Sequence, residues 1–259
     1  MKNVEIFIYS FIQGISEFLP ISSSAHLYAL ENFFNWKVDG LTFALAAHLG
    51  SLIAVLFYEK SFLIKNVKSL LTNKRENEVF LLIICVLPVL FIGFLIIILF
   101  KESYKFSLNY IALSSIIGAL LLALSDLETS NSKKKEKLCL RDSIYIGIFQ
   151  TLSLIPGMSR AGTVITMARY LGCTRSFSIK LALLTSMPII LLASLYGIYN
   201  VFISNQKIQY EFFLIVLLTF IFAYFSIIFL LKWVKYFSFK VFVIYRIFFG
   251  ILLIILAYS

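Results

Sequence analysis

Apolar residues in this chain come in long blocks. The blocks 79–100, 108–125, 211–231 and 241–258 are almost continuously apolar, close to the roughly 20 residues a helix needs to cross a bilayer. Two further blocks, 41–58 and 181–203, are apolar but contain Gly50 and Pro188, which predict interruptions there. Residues 4–30 break at Q-G-I-S-E-F-L-P-I-S-S-S-A-H, and residues 143–171 break at P-G-M-S-R-A-G-T. Each half of these two stretches is about a dozen residues, too short to span. The pattern predicts an all-α, polytopic membrane protein with about six full transmembrane helices and two broken segments.

Composition closes off the alternatives. Of 259 residues, 61% are hydrophobic and 14% charged, and the mean hydropathy is +0.95. Soluble domains are about 45–50% apolar and about 25% charged, and disordered chains are poor in aromatics, whereas this one has 27 Phe. The net charge of +10 fits basic cytoplasmic loops beside anionic lipid better than nucleic-acid binding, since no basic stripe with interleaved aromatics lies outside the apolar blocks. Cys85, Cys139 and Cys173 form no CxxC pair, which argues against a disulfide framework. Residues 1–20 have the outline of a signal peptide, but Gln13, Glu17 and the lack of an A-x-A-like site predict that they stay in the mature chain.

Basic residues set the orientation. Lys60, Lys65, Lys68, Lys74 and Arg75 lie in 59–78, Lys133, Lys134, Lys135, Lys137 and Arg141 in 126–142, and Lys232, Lys235 and Lys240 in 232–240. With Arg175 and Lys180 these go inside, leaving Lys2, Lys37, Lys101, Lys105 and Lys207 outside. The assignment is consistent only if both broken segments return to the side they came from, the first dipping in from outside and the second from the cytoplasm. Both termini are then external. An inverted repeat follows within a single domain 1–259, with one unit over about 1–125, the other over about 143–259, and the basic loop 126–142 between them. Gln13 precedes Ser22, and Gln150 precedes Ser159, by nine residues, while Ala44, Leu45 and Tyr58 match Ala182, Leu183 and Tyr196 at an offset of 138.

The breaks carry the chemistry. Glu17, Ser22, Ser23, Ser24 and His26 fall within ten residues, although an ionisable group at membrane depth costs roughly 2.5–3.5 kcal/mol on insertion scales. Pro20 ends one half-helix and the serine run caps the next, whose N–H groups favour an anion. Glu17 and His26 supply a base and an acid. In the second break Gly157 and Gly162 allow close approach of backbone to a ligand, and Arg160 suits phosphate oxygens. Thr163 and Thr166 add hydroxyls, with Thr166 also suited to bonding back to its own helix. The set reads as a phosphate site for an amphiphile with a phosphorylated head. Against this stands a satisfied polar packing site in which Glu17 simply pairs with Arg160.

The runs 13–26 and 156–162 resemble the two signature motifs of the undecaprenyl-diphosphatase family, the bacterial enzymes tied to bacitracin resistance, and the likeness in length, span count and motif order covers the whole chain. The resemblance implies hydrolysis of C55 polyprenyl diphosphate to the monophosphate, recycling a lipid carrier for peptidoglycan synthesis. It implies two re-entrant helix pairs in inverted topology and a site facing the outer side of the cytoplasmic membrane. By position, Glu17 matches a base or metal-associated carboxylate, Ser23 the proposed nucleophile (attack by activated water being the alternative), His26 the essential imidazole, and Arg160 a diphosphate clamp with Ser159 beside it. Ser22, Ser24, Gly157, Gly162, Thr163 and Gln13 are the expected substrate contacts. A divalent cation, Mg²⁺ or Ca²⁺, is implied. Gln13 stands where some members carry Glu, leaving Glu17 and substrate phosphates to hold the ion. Ala25 and Ala161 replace a common Gly and Ser, and Thr163 sits one position earlier than the hydroxyl of many members.

Other residues are weaker signals. His48 reads as a packing histidine or a ligand contact, Arg246 as a snorkelling residue at the cytoplasmic interface or a cavity lining, and Trp36 and Trp233 as interfacial anchors. A transporter or flippase of lipid phosphates is the rival function, since the inverted repeat suits it. Self-association as a homodimer is left open.

Overall fold

The structure, a computed structural model, describes residues 2–34, 40–70, 78–99, 106–128, 135–204 and 208–258. Trp36, Lys37, Lys74, Arg75, Lys101, Lys105, Lys133, Lys134 and Lys207, used above for anchoring and orientation, lie outside the described residues. The described residues form the helices α1 (Lys2–Ser16), α2 (Ser23–Phe34), α3 (Gly40–Tyr58), α4 (Lys60–Leu70), α5 (Glu78–Leu99), α6 (Leu108–Glu128), α7 (Leu140–Gln150), α8 (Arg160–Tyr170), α9 (Arg175–Ile203), α10 (Tyr210–Tyr236) and α11 (Lys240–Tyr258), with a 3₁₀ turn at Thr151–Leu154. Helices dominate because a backbone in hydrocarbon must satisfy its hydrogen bonds internally. Among the described residues five helices are long and apolar enough to cross a membrane, or six if α3 and α4, bent by 69° at their junction, count as one span. The lipid-facing surface is apolar, with Phe91, Leu99, Phe213 and Phe248 all more than half exposed, as a protein solvated by acyl chains permits.

Four expectations are corrected. Gly50 does not interrupt α3. A Cβ there would stand 2.5 Å from the Val216 carbonyl oxygen of α10, so the glycine permits close helix packing. Pro188 lies inside a continuous α9, which begins six residues before the expected 181 because Thr174 Oγ1 accepts from the Phe177 N–H at 3.2 Å. Helix α10 runs on to Tyr236 and absorbs Lys232 and Lys235, so most of the expected loop 232–240 is helical. The expected loop 59–78 contains α4.

Helices α3, α9 and α10 pack together at the centre, α1 lies on α10, α7 on α5, α11 on α6, and α8 between α6 and α9. At one end a buried Asp126 gathers four elements. Its carboxylate accepts from Arg169 Nε at 3.1 Å, Arg175 Nε at 2.8 Å and Nη2 at 3.0 Å, and the Phe239 N–H at 3.2 Å. Arg160 starts α8 and Arg169 lies near its end, so about 14 Å of helix separates this basic end from the second break.

Candidate active site

Both breaks end in the same local structure. Ser22 and Ser159 stand immediately before α2 and α8 with φ of +73° and +67°, and they are the only non-glycine residues with positive φ among those described. L side chains rarely adopt this region, and such strain gathers at functional sites. Ser159 Oγ accepts from the Gly162 N–H at 3.1 Å and so caps α8, while Ser22 Oγ lies 3.2 Å from Ser24 Oγ.

Between the two turns, Glu17 is the hub. Its Oε2 accepts from Gln13 Nε2 at 2.8 Å and from Ser23 Oγ at 2.7 Å. Its Oε1 accepts from Arg160 Nη2 in an ion pair joining residues 143 apart. Arg160 Nη1 also donates to the Ser186 carbonyl of α9 at 3.3 Å, which aims the guanidinium across the gap. The Glu17 side chain is 5% exposed and the Arg160 side chain 15%, so the pair is largely desolvated on both sides. A small cavity of about 90 Å³ opens onto it, lined by Glu17, Ser22, Ser23, Ser24, Ser153, Ser159 and Arg160. Ser153 is the residue that motif reading missed; the repeated Q-x-x-S of Gln13–Ser16 and Gln150–Ser153 is the signal that points to it.

Other expected residues sit beside the cavity rather than on it. Gly157 is required by its φ of +98°, and an added Cβ would stand 2.1 Å from Ser114 Oγ of α6, so its smallness lets the turn pack against α6. Ser114 Oγ donates to the neighbouring Pro156 carbonyl. Thr163 Oγ1 donates back to the Arg160 carbonyl at 2.8 Å, and the Gly162 N–H is used by the cap. His26 stands apart from Glu17. Its Nδ1 lies 2.7 Å from the Ser22 carbonyl oxygen and its Nε2 2.6 Å from Tyr245 Oη, with Phe249 stacked on the ring at 4.1 Å. His48 presents a buried Nδ1 with no hydrogen-bond partner.

Arg246 corrects its sequence reading most sharply. It does not snorkel to an interface but is fully buried. Its Nη2 donates to the Gly157 and Met158 carbonyls at 3.0 and 3.1 Å, and Nη1 to the Pro20 carbonyl at 3.4 Å. One guanidinium therefore ties the two breaks together through the carbonyls freed by their irregular backbone. Gly118 makes room for it, since a Cβ there would lie 2.3 Å from Nη2.

A family model described as bacitracin resistance protein BacA matches residues 6–252. The chain belongs to the BacA family. It is similar to proteins named undecaprenyl-diphosphatase from Pelagibacter ubique, at 38% identity over 99% of this chain and 98% of the relative, and from Alteromonas mediterranea, at 34% over 98% of both. A third, from Aliivibrio salmonicida, is 35% identical over 96% of each. As a BacA-family member the chain carries both breaks and nearly every helix within the matched region.

Proposed function

We propose that this chain hydrolyses the terminal phosphate of undecaprenyl diphosphate at the cavity between the two breaks, yielding the monophosphate and inorganic phosphate and so recycling the lipid carrier for peptidoglycan synthesis. The observation that carries this reading is the Glu17–Arg160 ion pair, set beside a cluster of hydroxyls in a cavity of about 90 Å³. The near full-length similarity to three proteins of that name supports it. In this mechanism an incoming diphosphate draws Arg160 from carboxylate to phosphate oxygens, for which its planar fork is suited. Glu17 is thereby left with Ser23, whose hydroxyl already donates to it at 2.7 Å. The carboxylate takes the proton as the oxygen of Ser23, or of a water held against it, attacks the terminal phosphorus, and the bridging P–O bond breaks to release the lipid monophosphate. Where Ser23 is the attacker, water then hydrolyses the phosphoserine to free inorganic phosphate and restore the hydroxyl. Arg160 and the N–H groups opening α2 and α8 meet the charge on the equatorial and leaving oxygens. The isoprenoid tail lies along the apolar helix surfaces.

A divalent cation, Mg²⁺ or Ca²⁺, fits the donor set in one respect: Gln13 Oε1 is buried without a partner, an orphaned hard oxygen beside the Glu17 carboxylate. Among the described residues no three His, Cys, Asp or Glu side chains cluster, so Gln13, Glu17 and Ser23 would hold the ion together with substrate phosphates and water. When bound, such an ion supplies charge neutralisation for the phosphoryl group.

The proposal extends to topology. The α1–α2 and α7–α8 pairs are re-entrant, and α3, α5 and α6 are related to α9, α10 and α11 by an inverted repeat with six full spans. The packing of α1 on α10 and of α7 on α5, and the matched Ser22 and Ser159 turns, support this reading. With the basic end in the cytoplasm, the cavity opens toward the outer face of the bacterial cytoplasmic membrane. The test is phosphate release from C15 and C55 polyprenyl diphosphates by the purified protein in detergent. A phosphatase releases phosphate without a second compartment, whereas a transporter releases none.

A further inference from the structure

The geometry around His26 assigns roles to two residues on α11. Ser22 O is a carbonyl and only accepts, so the proton on this side is on His26 Nδ1. That bond, at 2.7 Å, is short, whereas the helical bond from the His26 N–H to the same carbonyl is slack at 3.4 Å. The ring, more than the helix, holds the carbonyl of the residue in the strained turn. On the far side Nε2 faces Tyr245 Oη at 2.6 Å, and neither partner is a carboxylate that would hold an imidazolium. In a neutral imidazole the partner of one nitrogen decides which nitrogen carries the proton, and here a tyrosine hydroxyl donating to Nε2 selects the Nδ1–H form. Phe249, four residues beyond Tyr245, fixes the ring plane at 4.1 Å and 3°.

We propose that Tyr245 and His26 are positioning residues for the reaction: Tyr245 holds the Nδ1–H tautomer of His26, and that N–H holds the Ser22 carbonyl and with it the turn that presents Ser23 to Glu17. Arg246, the next residue, does the corresponding work in the other break by holding the Gly157 and Met158 carbonyls just before Ser159. A single turn of α11 thus supports both strained serines. His26 then needs no proton transfer of its own, because its two nitrogens are committed to Ser22 and Tyr245.

This inference rests on the phosphatase reading for its kinetic test but has a spectroscopic test that does not. Asparagine can place an amide N–H near the position of Nδ1 but does not titrate. His26→Asn is therefore expected to keep at least about a tenth of kcat with an unshifted pH profile, whereas His26→Ala loses about a hundredfold or more. Tyr245→Phe is expected to lower kcat roughly threefold to tenfold with KM unchanged. All variants are compared at matched melting temperature in detergent. In ¹⁵N-histidine-labelled wild type, which has two histidines, the resonances that persist in the His48→Gln variant belong to His26 and should show a protonated Nδ1 and an unprotonated Nε2. The proposal is overturned if folded His26→Asn is as inactive as His26→Ala, or if the spectrum shows Nε2–H or imidazolium. Should His26→Asn fail to fold, the wild-type spectrum decides. A wild type that releases no phosphate sinks the phosphatase reading while leaving the tautomer test intact.

Discussion

Arg160 donates to Glu17 across 143 residues of chain, and in doing so joins the two breaks into one polar site. Both partners are desolvated, and removing one member of a buried pair costs about 3–5 kcal/mol because the other is left uncompensated. Glu17→Ala and Arg160→Ala should each lower the melting temperature in detergent, and the double variant should lose less than the sum, since contacting charges couple. Strict additivity in that cycle would show that the pair does not operate in the folded protein.

Gln13 offers its Nε2 to Glu17 and leaves Oε1 without a partner. Gln13→Ala should raise the Mg²⁺ or Ca²⁺ concentration for half-maximal phosphate release by about tenfold, the lower end of what outer ligand-supporting groups contribute. Chelation should abolish release in wild type, and restored cation should recover it. An unchanged metal requirement in the variant would remove Gln13 from the ion's surroundings.

Arg246 is fully buried, and its room depends on Gly118. Gly118→Ala forces the guanidinium to shift and should destabilise the protein by about 1–3 kcal/mol, the usual cost of overpacking. Arg246→Met should lose more than Gly118→Ala, because it also leaves the Gly157 and Met158 carbonyls without donors. Thermal melting of the three proteins gives the order directly.

The first turn of α7 predicts a pH effect. Burial alone would raise the Asp142 pKa, but the Lys135 ammonium, with the Cys139 N–H at 3.0 Å, outweighs it and holds the carboxyl below its usual value. A depressed carboxyl contributes stability that is present above the unfolded value of about 3.9 and is lost as pH falls through the folded one. Asp142→Asn should therefore flatten the acid limb of melting temperature against pH while lowering the plateau. An acid limb of unchanged steepness would contradict this.

The block pattern made the spans legible because the bilayer sets a length that sequence can be measured against. The breaks were legible because proline, serine and ionisable residues are costly at that depth. Legibility ended where an outcome depended on a neighbour distant in the chain. Gly50 and Pro188 look like interruptions in isolation, and only the approach of α10 shows why Gly50 is tolerated. Arg246 reads in sequence as a snorkelling or cavity-lining residue because nothing near it in the chain announces the carbonyls of Pro20, Gly157 and Met158. Tyr245 gave no signal at all, since its partner His26 lies 219 residues away.

The central claim, that the cavity shared by the two breaks hydrolyses a lipid diphosphate, is met most directly by phosphate release from C55 polyprenyl diphosphate in detergent with divalent cation. Wild type should release phosphate, and Glu17→Ala and Arg160→Ala should each fall by at least about a hundredfold. Full release by either folded variant would place the chemistry elsewhere.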